Sequence, residues 1–352
     1  MILTRSPYYI HVPINYPTTT TSVTLRLYIW SGLQASVPAT ANYTITKNVP
    51  STSTSELTFN ISNKVNDYLW QTNVSASATS LITTTTTHSV WVYYSVEYTD
   101  GTETIADLTG TILASEGYGT YLDGYNPDIP ANKILLDGDT FQISRTGSFC
   151  IPFLNDGTYT SITVNEDGAL TDTLTPSSST NSDNIINYVW IEGSEFTGSN
   201  ITVVFGANTI YLELVDEYKY TPKDICFINK YGFQQIIPFF KKMVETLKVD
   251  SGNTFKNNYV TNQTYDTSRH QTKVLNKNAG KDFSLVSGFY EEENNQHFEQ
   301  LLLSEQVWLL ENEVFIPVNV DRKQTQYKTH VNDKLFGYNI DFSYAFDLIN
   351  TV

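Results

Sequence analysis

The sequence is poor in the residues that carry redox, metal and nucleophilic chemistry. Its 352 residues include two cysteines, two methionines and five histidines. Cys150 and Cys226 stand in apolar surroundings, with neither a CxxC partner nor the spacing of zinc ligands. We therefore expect two buried free thiols that act as small core residues, with a disulfide as the alternative. The dispersed histidines predict no metal site and no cofactor.

Motifs for catalysis are also lacking. The chain has no GxSxG, HExxH or Walker motif, and no GxGxxG that opens a helix. Neighbouring acids such as Glu192 with Glu195, or Glu166 with Asp167, raise the possibility of glycosidase chemistry, which needs two carboxyl groups about 5–10 Å apart. With 37 acidic residues, adjacency carries little information. We expect no enzyme, and no catalytic, cofactor-binding or metal-binding residue.

Long apolar runs are absent. No window approaches the ~20 apolar residues of a transmembrane helix. The N-terminal MILTRSPYYIHVPINYP has no continuous apolar region, so we expect neither a Sec signal peptide nor membrane insertion.

Basic residues are scarce in the first part of the chain. Residues 1–215 hold 6 Lys/Arg and 19 Asp/Glu, a balance of 6 − 19 = −13, whereas residues 216–352 hold 15 and 18, a balance of 15 − 18 = −3. Phosphate backbones are bound by arrays of Lys and Arg, so sequence-specific nucleic-acid binding is not expected. Solubility is the simplest reason for the acidity; an acid-lined channel that lets DNA slide is the minor alternative.

Aromatic and β-branched residues are plentiful. The 24 Tyr and 18 Phe, together with many Thr, Ser and Asn, favour pleated strands and turns over helices. We predict a mainly β fold of two N-terminal immunoglobulin-like β-sandwich domains followed by a β-rich α+β domain with one packed helix. The five tryptophans are expected in the cores: Trp30, Trp70, Trp91, Trp190 and Trp308.

Residues 1–115 predict the first sandwich. Ser22–Trp30 and Ser89–Tyr98 alternate apolar and polar side chains with a period of two. Asp100–Gly101 marks a hairpin turn, and the tract Thr83–Thr87 is expected in a loop or an edge strand.

Residues 116–215 predict a second β domain with its connector. Four connector acids supply the oxygen ligands that calcium prefers, but their spacing does not match an EF-hand loop, so Asx turns are the favoured interpretation; these acids are Asp123, Asp128, Asp137 and Asp139. The polar stretch Thr173–Asp183 is expected to form an exposed loop that contacts a neighbour.

Residues 216–352 predict the α+β domain. Asn229–Gly232 forms a turn before the apolar run Phe233–Phe240. A helix is expected at about Glu291–Leu303, with His297 on its solvated face. The polar loop Gly252–Lys281, with five basic residues, either contacts the acidic surface of a neighbour or is a plain solvated loop.

Several strings resemble virion proteins of tailed phages of Bacteroidota, including crAss-like phages. They are SPYYIHVPINYPTTTTSVTLRLYIWSGLQASVPATANYTITK, DICFINKYGFQQIIPF, SGFYEEENNQHFEQLLLSEQVWL, FIPVNV and YKTHVNDKLFGYNIDFSYAFDLINTV. These strings make up about a third of the chain, and none contains a catalytic motif.

This resemblance implies a structural tail or neck-ring protein. It is expected in the virion tail after assembly in the bacterial host cytoplasm, with other virion proteins (tail, neck or portal-proximal) and further copies of itself as partners. The nearly neutral residues 216–352 are expected to form the ring, because identical surfaces that carry −13 repel each other. The alternatives are a receptor- or carbohydrate-binding tail adhesin and, third, a glycan depolymerase.

Overall fold

A computed structural model describes residues 1–13, 20–49, 56–83, 88–99, 104–176, 185–250, 252–258, 260–261, 263–321 and 335–349. Strands make up 52% of the structure and helices 8%, so the predicted mainly β class is confirmed. The predicted turn at Asp100–Gly101, most of the tract Thr83–Thr87 and most of the loop Thr173–Asp183 lie outside the described residues.

The N-terminal strands form two sheets around one apolar core. The predicted strand at Ser22–Trp30 is confirmed, and its buried Val23, Leu25, Leu27 and Ile29 face this core. The larger sheet has the order β1-β8-β7-β3-β4, and β2 pairs with β5. The elements are β1 (Ile2–Leu3), β2 (Tyr9–Pro13), β3 (Ser22–Trp30), β4 (Tyr43–Asn48), β5 (Glu56–Asn60), α1 (Ser62–Asn66), β6 (Ser80–Thr83), β7 (Ser89–Thr99) and β8 (Thr104–Ser115).

The middle part packs a three-stranded sheet, β10-β13-β6, against a five-stranded sheet, β12-β11-β14-β15-β9. Strand β6 comes from residues before position 115 and pairs with β13, so this sheet spans the predicted boundary between the first two domains. The middle strands are β9 (Thr140–Ser144), β10 (Ser148–Leu154), β11 (Ile162–Glu166), β12 (Ala169–Leu174), β13 (Ile186–Glu192), β14 (Asn200–Phe205) and β15 (Asn208–Val215). Short 3-10 helices lie at Tyr121–Asp123 and Gly193–Glu195.

The C-terminal part contains a seven-stranded antiparallel sheet with the order β17-β16-β25-β26-β28-β23-β18. Its elements are β16 (Lys223–Ile228), β17 (Gln234–Phe239), β18 (Met243–Asp250), β19 (Asn253–Lys256), β20 (Val260–Thr261), β21 (Thr264–Tyr265), β22 (Thr272–Leu275), β23 (Asn278–Val286), β24 (Tyr290–Glu291), a 3-10 helix (Glu292–Asn294), α2 (Asn295–Leu303), β25 (Val307–Glu311), β26 (Val314–Val320), β27 (Leu335–Phe336) and β28 (Asn339–Tyr344).

This seven-stranded sheet closes on itself. Its two edge strands, β17 and β18, are consecutive in the chain and are separated by residues 240–242. The backbone N–H groups of Phe240 and Lys241 donate to the carbonyls of Ser287 and Val286, which continues the pairing of β18 with β23. A closed sheet has no open edge at this point, and its apolar side chains fill the interior.

The packed helix is shorter than the sequence indicates. Residues 290–291 are extended and Glu292–Asn294 form a 3-10 turn, so α2 begins at Asn295 instead of Glu291. Phe298 and Leu301 pack into the closed sheet, where the Phe298 ring stacks on Tyr338 with centroids 4.1 Å apart.

A fourth core joins all three parts of the chain. It includes Trp91 from β7, Tyr188 and Trp190 from β13, Cys226 from β16 and Ile236 from β17. Cys226 and the other cysteine, which lies in the same core, are both free and buried, which confirms the predicted buried thiols.

The predicted Asn229–Gly232 turn is confirmed, and it lies next to this core. The Asn229 side chain donates to the carbonyl of Leu135 (2.8 Å) and accepts from the backbone N–H of Tyr231 and of Phe233. Gly232 has φ +84° and lies so close to the backbone of residues 116 and 117 that a Cβ would stand 2.6 Å from them. This position therefore requires glycine.

The buried Gln234 joins β17 to the other two parts. Its backbone N–H donates to the Tyr188 hydroxyl (3.3 Å), which also contacts His88 Nδ1 (3.3 Å). Its side-chain amide donates to the carbonyl of Val74 (2.8 Å) and accepts from the N–H of Val74 (3.0 Å). Because the parts share buried hydrogen bonds and one core, we expect them to unfold together.

Replacing Gln234 by Ala tests this coupling. The substitution leaves the N–H and the carbonyl of Val74 without their partner at a partly buried position, at a cost of about 1–3 kcal/mol. Calorimetry should show one transition that moves to lower temperature as a whole. Gln296→Ala, on the half-buried face of α2, is the matched control and should change the midpoint little. Two separate transitions in the wild-type chain would contradict the shared core.

Candidate assembly surface and acidic pocket

Residues 243–286 form a two-stranded ribbon that extends beyond the closed sheet. Strands β18 and β23 pair over eight residues, from Met243↔Leu285 to Asp250↔Asn278, and the pairing continues in β19 with β22 and in β20 with β21. All four residues of β19 and all four of β22 are exposed. The expectation of a polar loop at Gly252–Lys281 is therefore wrong, since most of this segment is paired strand.

The base of the ribbon carries apolar side chains that face water. Alternate residues of a strand share a face, so the register places Leu247 and Val249 on the same face as the buried Phe283 and Leu285. The face of the ribbon that carries Leu247 and Val249 is therefore the same face that, farther along the strands, lines the interior of the closed sheet. Leu247 and Val249 are 54% and 49% exposed.

The C-terminal segment bonds to β23, the strand that pairs with β18, at the level of these two side chains. The N–H of Leu348 donates to the carbonyl of Ala279, the residue opposite Val249. The segment adds further exposed apolar side chains to the same region. We call the exposed Leu247, Val249, Phe346, Leu348 and Ile349 the ribbon-base patch.

The outer ribbon is basic, whereas the rest of the chain is acidic. Residues 252–281 hold five Lys/Arg and one Asp, a balance of +4, so the remainder carries −16 − 4 = −20. At the base, Lys281 pairs with Glu245 and Lys248 pairs with Asp282. The exposed cations farther out form no ion pair within the part of the chain that the structure describes; these are Lys256, Arg269, Lys273 and Lys277.

An isolated two-stranded ribbon is marginally stable in water. It buries little of its own surface, and it exposes backbone edges that can pair with another chain. The ribbon-base patch adds apolar surface of the kind that marks protein contacts. The ribbon therefore exposes backbone edges and apolar side chains of the kind through which proteins contact one another.

An acidic pocket of about 310 Å³ lies where the middle part meets the C-terminal sheet. Its carboxylates come from three different elements: Glu192 ends β13, Asp224 lies on β16, and Glu313 lies in the turn between β25 and β26. Gly147 closes one side, where a Cβ would stand 2.3 Å from the Asp224 carboxylate. The other lining side chains are mostly small and polar.

Asp224 is buried in this pocket and forms no ion pair with the residues that the structure describes. It is 7% exposed; Oδ2 accepts the backbone N–H of Ser148 (3.1 Å), and Oδ1 has no hydrogen-bond partner among the described residues. Burial, reinforced by the charge of Glu192, raises the pKa of Asp224 to about 7, although the Ser148 N–H and Lys223 oppose the shift. Burial likewise raises the pKa of Glu192. Lys223 is itself paired with Glu311.

Glu313 stands at the rim of the pocket in a strained backbone conformation. Asn312 and Glu313 have φ of +49° and +63°, and they form the two-residue turn of the β25–β26 hairpin. Such turns favour Asn followed by Gly, because a Cβ is disfavoured at positive φ. A glutamate at the glycine position therefore lowers the stability of the fold. Strained backbone of this kind clusters at functional sites.

A second cleft is lined by tyrosines. Tyr9 stacks on Tyr125 with centroids 5.9 Å apart, and Tyr121, which is 98% exposed, stands beside them in a cleft of about 590 Å³. The polar groups hold the cleft together, since the Asn126 side chain both donates to and accepts from the backbone of Tyr9. Tyr121 and Tyr125 expose their aromatic rings to solvent.

Two of the described histidines, His88 and His297, are buried. His297 is buried instead of solvated, so that expectation is wrong: its ring stacks on Phe141 (4.6 Å) and its Nε2 lies 2.5 Å from the Asp137 carbonyl. Burial lowers the pKa of His297, and burial lowers the pKa of His88 to about 4. Both rings pack inside the protein.

Three of the four acids that the sequence suggested as glycosidase pairs accept hydrogen bonds from backbone N–H groups; these are Glu166, Asp167 and Glu195. Glu166 accepts from the backbone of residues 197 and 198, which lowers its pKa, and Asp167 accepts from that of residues 199 and 200. Glu195 accepts from the N–H of Thr79. Among these acids only Glu192 lines the acidic pocket, and its pocket neighbour Asp224 is 32 residues away in sequence.

The connector acids do not converge on a calcium site. Their partners differ: Asp123 pairs with Lys230, Asp128 with the N-terminal ammonium group, and Asp137 with Gln300. Within the described ranges, no group of three or more His, Cys, Asp or Glu side chains could hold a metal ion.

The tryptophans follow their expected placement except one. Trp30, Trp91 and Trp190 are buried, and Trp308 packs partly buried against the shared core. Trp70 is 71% exposed, so its prediction as a core residue is wrong. It follows α1 in a segment that lies outside any helix or strand.

Comparisons with known proteins identify no relative: no protein-family model matches the chain, and no curated protein matches it. None of the described helices is long and apolar enough to cross a membrane.

The pKa of Asp224 gives a pH test of the pocket. Because the folded-state pKa is raised from 3.8 to about 7, the folded chain keeps a proton that the unfolded chain releases. Asp224 therefore lowers stability as the pH rises from about 4 to about 7, by at most ~1.4 kcal/mol per pH unit. Asp224→Asn should raise the melting temperature at pH 7 more than at pH 4. The exposed Asp172→Asn is the control, and an equal effect of Asp224→Asn at both pH values would contradict the assignment.

Proposed function

We propose that this protein is a non-enzymatic structural subunit of a bacteriophage tail or neck, where identical copies form part of a symmetric ring in the virion. The observation that carries the proposal is the ribbon of residues 243–286, whose outer strands are exposed on both faces and basic on a chain of net charge −16. The resemblance of the sequence to virion proteins of tailed phages supplies the biological setting. Its partners are further copies of the chain and other tail, neck or portal-proximal proteins.

A ribbon that docks on a different surface of the next copy makes a head-to-tail contact. Contacts of this kind generate rings when the rotation between copies closes. Strands in the ribbon also provide backbone groups for pairing with a neighbour's sheet edge. The proposal thus assigns ring formation to residues 216–352, which include the ribbon, and assigns the acidic residues 1–215 to the periphery.

The charge distribution supports this arrangement. Copies that each carry −16 repel one another unless contacts bring opposite charges together. A basic ribbon on an acidic neighbour provides that attraction locally, and salt screens the outer acidic surfaces over about 8–10 Å.

The ribbon-base patch provides a direct test. Replacing Leu247 and Val249 by Ser removes apolar surface that is exposed in the single chain, so the melting temperature of the monomer should hold. If a neighbour covers this surface in the assembly, the double substitution should reduce the free energy of association by about 3 kcal/mol. Self-association should then be roughly a hundredfold weaker. Light scattering over a concentration series measures it.

The matched control is Leu170→Ser, an exposed leucine on β12 of the middle part. It should leave self-association unchanged. A wild-type chain that stays monomeric at every concentration, or a control that weakens association as much as the double variant, would contradict the proposal.

A tail adhesin is the second candidate, and the tyrosine cleft favours it. Aromatic faces that are open to solvent bind the apolar faces of sugars. Tyr121→Ala should abolish glycan binding on an array or weaken it about tenfold, which corresponds to the ~1.4 kcal/mol of one lost contact, without a change in stability, since Tyr121 is almost fully exposed. Tyr218→Ala, at another exposed tyrosine, is the control. Absence of binding to any glycan by the wild-type chain would reject this candidate.

A further inference from the structure

We infer that the acidic pocket formed by Glu192, Asp224 and Glu313 receives the ammonium group of a ribbon lysine from a second copy of this chain. The inference deepens the proposed function and rests on it. It names the two surfaces of the head-to-tail contact, the ribbon on one copy and the pocket on the next. The contact thereby includes Glu192 and its neighbours from the otherwise peripheral residues 1–215.

None of the described residues that line the pocket carries a positive charge. Asp224 is more than nine-tenths buried, its Oδ1 has no partner in the described chain, and Glu192 stands close enough to raise its pKa. A buried carboxyl group beside a second one is costly unless a cation or a proton lies between them. The pocket thus holds neighbouring carboxyl groups with no cation between them among the described residues, and it opens to solvent at Glu313.

An ammonium group suits this pocket better than a metal ion. The carboxylates do not converge as metal ligands do within the described residues. Lysine has a long, thin stem and three N–H donors, and the pocket offers carboxylate oxygens together with the hydroxyl groups of Ser148, Ser194 and Thr146 as acceptors. A cavity of about 310 Å³ has room for this side chain.

The ribbon supplies lysines that form no ion pair of their own. Lys256, Lys273 and Lys277 are exposed and unpaired with any acid in the described part of the chain. The paired strands β19 and β22 hold Lys256 and Lys273 in place, with Phe255 directly opposite Lys273. An apolar ring beside the lysine can cover the mouth of the pocket and exclude water, which strengthens the ion pair inside.

The strained turn at the rim agrees with this role. Glu313 occupies a position where glycine is preferred. The glutamate at this position lowers the stability of the fold, and its side chain lines the pocket.

Cross-linking of the full-length chain tests the contact. Equal amounts of ¹⁵N-labelled and unlabelled protein are mixed and treated with a carbodiimide, which joins only amines and carboxyl groups that touch. We expect mixed-isotope peptides that link Lys256, Lys273 or Lys277 to an acid of the pocket. Glu192→Gln combined with Glu313→Gln should lower the yield of these peptides and the association constant about tenfold or more.

The control is Glu293→Gln, an exposed acid outside the pocket, which should change neither quantity. Glu313→Gly separates folding from assembly, since removal of the strained side chain should raise the melting temperature while association weakens. A charge exchange adds a rescue: Lys→Glu at the cross-linked lysine weakens assembly, and Glu313→Lys in the same chain restores part of it.

The outcomes distinguish the inference from the proposed function. Oligomers without the mixed-isotope link to the pocket would overturn the inference and leave the ring proposal standing. The inference is equally overturned if the pocket of such oligomers binds n-butylammonium in solution, because an occupied pocket cannot do so. A chain that is monomeric at every concentration would overturn both.

Discussion

The contact between Tyr188 and Gln234 fixes how the three parts of the chain are joined. The Tyr188 ring is fully buried, its hydroxyl accepts the N–H of Gln234, and the Gln234 side chain bonds to both backbone groups of Val74. A buried polar group that loses its partner costs ~1–3 kcal/mol, so β13, β17 and the segment at Val74 move as one body. Cys150 belongs to the same core, where burial raises the pKa of its thiol and leaves it unreactive.

This joint also builds the acidic pocket. Glu192 belongs to the middle sheet, whereas Asp224 and Glu313 belong to the closed C-terminal sheet, so the carboxylates meet only while the two sheets are locked together. The closed sheet likewise anchors the ribbon, because β18 and β23 are paired with each other and β23 is paired with β28. The same rigid body therefore holds both surfaces of the proposed contact, the pocket directly and the ribbon at its base.

Local pattern predicted the strands well and the contacts between distant residues poorly. The alternation at Ser22–Trp30 identified β3, because one face of that strand is buried and the other is more open. Nothing local distinguishes the outer ribbon from a loop, since both of its faces are solvated and the apolar alternation is missing. Tertiary packing decides three features that no window of sequence contains. It places Glu192 and Asp224 in one pocket, buries His297 and leaves Trp70 exposed.

Electrostatics connects the pocket, the ribbon and the acidity of the chain. With −20 outside residues 252–281 and +4 within them, a second copy is repelled at long range and attracted when its ribbon reaches an acidic surface. Salt screens exposed charges over about 8–10 Å but screens a buried pair much less. Added salt should therefore relieve the repulsion between copies first, while a lysine inside the pocket keeps most of its attraction to Asp224. A contact of this kind tolerates an acidic exterior, so the net negative charge of each copy need not oppose the proposed assembly.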